Sequence, residues 1–136
     1  MPALQLQVLP GVLAILRLPP NHPLPTTVFS ALNGFWAMTR TPDELSLVLP
    51  EAALASFADA ETALIDGGWQ AIGVVGTLDF ALTGILASLA LPLADVGISI
   101  FALSTFDTDY LLVKANTLMS ALTVLKAHGF IIINAD

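Results

Sequence analysis

The chain has 136 residues, 56% of them hydrophobic and only 11% charged, with a net charge of −7 and no cysteine. That length fits one compact domain or two very small ones sharing a core, which excludes large multidomain machinery. Four Lys and Arg in all leave no basic footprint for nucleic acid, and the absence of cysteine removes disulfides, thiolate chemistry and Cys-based metal sites.

In chain order, Leu13 to Leu18 reads as the first strand, stopped by Pro19-Pro20, and Asn21 to Pro25 as a stiff irregular loop. Thr26 or Thr27 caps a short helix to Asn33, and Gly34 ends it before a strand from Phe35 to Thr39. Thr41-Pro-Asp-Glu44 is a turn with proline at its second position, from which Leu45 to Leu49 return as the paired strand. Glu51 to Asp66 is ambiguous, an Ala-rich helix-compatible run, and Gly67-Gly68 reads as a bend before a strand from Trp69 to Val75.

From Phe80 onward Leu82, Ile85, Leu86, Leu89, Leu93 and Val96 recur at three- and four-residue spacing, which predicts a helix with one apolar face. Pro92 removes one helical bond, so a kink is expected there rather than an end. Gly97 closes the helix, Ile98 to Ser104 form a strand, and Tyr110 to Lys114 form its hairpin partner across the Thr105 to Asp109 turn. A last helix carries Leu118, Ala121, Leu122 and Leu125 on one face, ends at Gly129 and leads to a strand from Phe130 to Ile133.

The halves echo each other: Gly34 to Val48 and Gly97 to Val113 both read glycine, strand, acidic turn, strand, as a duplicated unit gives. Apolar residues occupy both faces of the strands from Ile98 and Trp69, so a second sheet or another subunit is expected to cover the face the helices leave. The uncharged run from Phe80 to Ala94 falls short of the roughly 20 residues that cross a bilayer, and prolines interrupt the run from Leu18 to Thr39. No membrane partner and no signal peptide are therefore expected, and the default location is cytoplasmic.

Candidate chemistry gathers at two bends. Gly76-Thr77-Leu78-Asp79-Phe80 is a strand-to-helix bend whose amides suit a carboxylate; equally, Asp79 is an ordinary cap accepting from Ala81 or Leu82. Ser104-Thr105-Phe106-Asp107-Thr108-Asp109 offers hydroxyls and carboxylates to an ammonium or guanidinium group, or is simply a solvated hairpin turn. Arg40 beside Asp43-Glu44 reads as a local ion pair fixing a turn. His22 lies in a proline-rich loop and His128 in a last helical turn, where a histidine commonly meets the helix dipole, so no acid-base pair is evident; no Gly-x-Ser-x-Gly elbow or phosphate loop is present, and Asp107 with Asp109 lacks the glutamate of a calcium loop. No enzyme, cofactor or metal is expected.

The motifs Gly76-Thr-Leu-Asp-Phe-Ala-Leu-Thr-Gly-Ile-Leu-Ala-Ser-Leu, Pro92-Leu-Ala-Asp-Val-Gly-Ile-Ser-Ile-Phe and Ser104-Thr-Phe-Asp-Thr-Asp-Tyr-Leu-Leu-Val-Lys resemble an ACT domain, and more closely the modules of CASTOR-type amino-acid sensors and their bacterial relatives. Arg17-Leu-Pro-Pro and Thr39-Arg-Thr-Pro-Asp-Glu-Leu-Ser-Leu-Val resemble the leading module of that family. The resemblance implies an α+β fold of tandem ferredoxin-like βαββαβ modules, antiparallel sheets with helices on one face, divided here into residues 1–66 and 67–136. It also implies a regulatory protein, allosteric rather than catalytic, that binds an amino acid or related small effector at a module interface formed in a homodimer. Its ligand contacts correspond to Gly76 to Phe80 and Ser104 to Asp109. The competing expectation is a ligand-free dimerisation or protein-interaction module.

Overall fold

A computed structural model describes residues 4–24, 26–30, 32–56, 63–76 and 84–133. In order, the elements are β1 (Gln5–Val8), β2 (Leu13–Leu18), α1 (Thr26–Ser30), β3 (Ala37–Arg40), β4 (Leu45–Pro50), a 3₁₀ helix (Glu51–Ser56), β5 (Leu64–Val74), α2 (Ile85–Asp95), β6 (Phe101–Ser104), β7 (Asp109–Lys114), a 3₁₀ turn (Ala115–Thr117), α3 (Leu118–Ala127) and β8 (Ile131–Ile133). They divide into two compact units: Gly11–Trp69, and Met1–Pro10 with Gln70–Asp136.

In the Gly11–Trp69 unit the strands lie in the order β3-β4-β2-β5, all neighbours antiparallel. Alternation along two neighbouring strands puts Ala14, Leu16 and Leu18 beside Leu45, Leu47 and Leu49, each 1% exposed or less, in one buried row. Leu24, Phe29, Leu32 and Leu54 pack over that row. Arg40 does not act in the turn beside it: its guanidinium donates to the carbonyls of Pro20 at 2.8 Å and His22 at 3.0 Å, tying the proline-rich loop to β3. Thr41 holds the turn instead, its amide donating to the Glu44 carbonyl while its hydroxyl accepts from the amides of Asp43 and Glu44.

The glycine pair is not a bend. β5 runs without a break from Leu64 to Val74, and its pairing with β2 passes from Ile15↔Asp66 to Leu13↔Trp69, one residue longer on the β5 side. This is a bulge, with Gly68 at φ 77° supplying the left-handed residue such a bulge needs. The Glu51 carboxylate caps it, accepting from the Gly68 amide at 3.3 Å. Pairing with a remote strand thus overrides the local turn signal.

In the other unit the order is β8-β1-β5-β7-β6. β1 is a strand that the reading from Leu13 onward does not include; it lies antiparallel to β5 (Leu6↔Val74) and parallel to β8 (Leu6↔Ile132). Residues 1–10 therefore group with the C-terminal unit and not with the segment that follows them. The cause is Leu6, fully buried in a core with Ile72, Val74, Leu89, Leu93, Leu111, Val113, Ala121 and Leu125. Without β1 this order is that of a ferredoxin-like βαββαβ unit, and the whole is an α+β protein.

α2 continues past Pro92, which is buried, to Asp95; its apolar face ends at Leu93, and Val96 is 55% exposed. Both α2 and α3 end the same way. The Gly97 and Ile98 amides donate to the carbonyls of Ala94 and Leu93, and those of Gly129 and Phe130 to Lys126 and Leu125, each a Schellman motif with its glycine left-handed. The His128 ring also bonds the Val124 carbonyl at 2.9 Å. Among the described residues no helix is long and apolar enough to cross a membrane.

Candidate functional site

The alternation that sends Leu6, Ile72, Val74, Leu111 and Val113 into the helix-covered core turns Gln7, Gly73 and Tyr110 to the opposite face of the same sheet. There they line a cavity of about 260 Å³, completed by Leu9 and Val75 and by Gly76, Asp107 and Thr108 at the strand ends. The cavity lies within the C-terminal unit, and it occupies part of the face for which the apolar strands predict a full cover. Asp107 is the one charged side chain among its described lining residues.

The turn that carries Asp107 is rigidly built. The Thr105 amide donates to the Thr108 carbonyl at 2.8 Å, and the Thr108 amide to the Thr105 hydroxyl at 3.2 Å. Thr108, 8% exposed, donates its hydroxyl to the Val74 carbonyl at 2.9 Å, pinning the turn to the end of β5. Ser104 donates to the Asp109 carboxylate at 2.7 Å across the base of the hairpin. Thr41 and Glu44 repeat the Thr105–Thr108 pattern in the other unit, backbone bond and hydroxyl contacts alike.

The expected site residues thus separate by role. Gly76, Asp107 and Thr108 come together at the cavity. Ser104, Thr105 and Asp109 brace the turn, and Phe106 stands 80% exposed at its tip. Thr77, Leu78, Asp79 and Phe80 lie outside the described residues. Gln7, Leu9, Gly73 and Tyr110 escape a reading by motif, although the Leu-Gln-Leu-Gln-Val alternation of residues 4–8 marks a strand with one polar face. Among the described residues no cluster of three or more His, Asp or Glu is placed to hold a metal ion.

Residues 64–127 match the ACT domain family, a match that runs from β5 through α3. This part of the chain belongs to the ACT domain family. It is 31% identical over 106 residues to a human protein described as putative protein CASTOR3P, an alignment taking in 67% of this chain and 65% of that relative. The crystal structure of the protein Atu0741 from Agrobacterium tumefaciens is similar throughout, with a TM-score of 0.85 at 34% identity, over 100% of this chain and 96% of that one. The ligand-free regulatory subunit of aspartate kinase from Thermus thermophilus shares the fold, with a TM-score of 0.65 at 14% identity, over 88% of this chain and 93% of that one.

Proposed function

We propose that this chain is a non-catalytic regulatory protein of the cytoplasm that binds an amino acid or a related small effector in the cavity below the Thr105–Thr108 turn. One observation carries this reading: Asp107, the one charged side chain among the described lining residues, stands in the same cavity as Gly76, at the end of β5. The Asp107 carboxylate receives the cationic group of the ligand, and the amides from Gly76 onward receive its carboxylate. A volume of about 260 Å³ lies just under the roughly 300–1,000 Å³ of pockets that enclose drug-sized molecules, which suits a smaller ligand. Asp107, a carboxylate in the lining, repels a second carboxylate on the ligand, so neutral and cationic amino acids are preferred over dicarboxylic ones.

A thermal-shift panel of the common amino acids tests this. Ligand at about 100 times its dissociation constant adds roughly 2.7 kcal/mol of stability, and a panel in which nothing shifts the melting point refutes the reading. Titration calorimetry on Asp107→Asn then shows roughly a 10- to 100-fold loss of affinity, as removal of a hydrogen bond to a charged group worth about 1.5–3 kcal/mol requires.

A second reading is favoured by the exposed apolar side chains Phe106 (80%), Met119 (74%) and Leu91 (62%), which suit assembly with a copy of the chain or with a protein partner. We propose a homodimer on this ground. Sedimentation equilibrium that returns a monomer at all concentrations removes it without touching the ligand reading.

A further inference from the structure

We infer that Tyr110, seated against the bare backbone of Gly73, sets the length of ligand that the cavity accepts. The inference rests on the reading that this cavity binds an amino acid.

Gln7 on β1 lies directly opposite Gly73 on β5, and Tyr110 comes from β7, the neighbour of β5 on its other side. All three line the cavity. A Cβ added at Gly73 meets Tyr110 Cε1 at 3.0 Å and Cδ1 at 3.2 Å, closer than side chains ordinarily pack. The backbone itself does not ask for glycine here, since Gly73 is absent from the residues with positive φ. Glycine inside a strand is less stable than alanine, and in such a place it marks a close approach of other atoms. The atoms that approach are those of the Tyr110 ring. The ring occupies the space a side chain on β5 would fill, and so forms a wall across the middle strand of the cavity floor.

Tyr110 lies outside the helix-covered core: Leu111 and Val113 enter that core, whereas Tyr110 is only partly buried, on the cavity side of the sheet. Shortening it moves the wall without emptying the core. Filling Gly73 works the other way, because the added methyl stands at the cavity floor and the ring must yield to it by a few tenths of an ångström. A methylene gained or lost against an apolar surface such as the ring face changes discrimination by roughly tenfold.

The test uses the full chain and two graded ligand series by calorimetry: neutral amino acids from alanine to norleucine, and diamino acids from 2,3-diaminopropionate to lysine. Tyr110→Leu shifts the preference toward longer members by about tenfold in relative affinity, and Gly73→Ala shifts it toward shorter ones. Tyr110→Phe keeps the wild-type ranking, because the ring and not the hydroxyl forms the wall. Asp107→Asn weakens every member of the diamino series and leaves its ranking by length in place. If the wild type binds but Tyr110→Leu and Gly73→Ala leave the ranking within about twofold, or if Tyr110→Phe shifts it as Tyr110→Leu does, the inference is overturned and the ligand reading stands. If the wild type binds no member of either series, the ligand reading falls and takes the inference with it.

Discussion

Thr108 joins two parts of the C-terminal unit with a single hydroxyl. Its bond to the Val74 carbonyl is buried, so replacing the hydroxyl by a methyl group strands a carbonyl away from water. Thr108→Val is expected to cost about 1–3 kcal/mol, read as a lower urea midpoint at unchanged slope, whereas Thr108→Ser keeps the bond. Residues of this kind were visible in advance because polar groups cluster where strands break, and Gly76, Asp107 and Thr108 all stand at such breaks. Gln7, Gly73 and Tyr110 were not, because what gathers them is the register between strands distant in sequence. Asp109 shows the opposite limit: its carboxylate looks as available as that of Asp107 until Ser104 is seen to donate to it.

At the scale of elements, the two helix ends share one solution. Gly97 at φ 76° and Gly129 at φ 93° adopt a conformation that costs a residue with a Cβ about 1 kcal/mol or more. Gly97→Ala and Gly129→Ala are each expected to lower stability by about that amount in denaturant melts, with the double variant close to the sum if the two ends act independently. These ends were legible because a Schellman motif depends on near neighbours: a periodic apolar face, then glycine, then an apolar residue. Gly67-Gly68 reads as a bend but forms a bulge, for the converse reason. A glycine pair serves a bend or a bulge equally well, and the choice is made by β2 and by Glu51, neither of which is local. Val96 extends the spacing of the α2 face but lies past its last turn, at the C-cap, where periodicity no longer places a side chain.

For the whole molecule, the βαββ order of each half follows from its sequence, while the position of β1 does not. A strand of four residues ahead of Pro10 carries too little pattern to say which sheet it joins. Its weight is nevertheless large: Leu6 is 0% exposed, and Leu6→Ala is expected to cost about 2–5 kcal/mol, with hydrogen exchange rising first along β8 and the second half of β5, the two strands that flank β1. Because β1 supplies Gln7 to the cavity and leads directly into Leu9, which also lines it, a variant loosened at Leu6 loses ligand response along with stability. During synthesis, this strand leaves the ribosome before either of the strands that hold it. It waits for β5, and then for β8 to close its far side, so its sheet is complete only after α3 has been made, a long-range pairing of the sort that slows folding. A chain interrupted before Ile131 offers an open edge at β1 in place of a finished sheet.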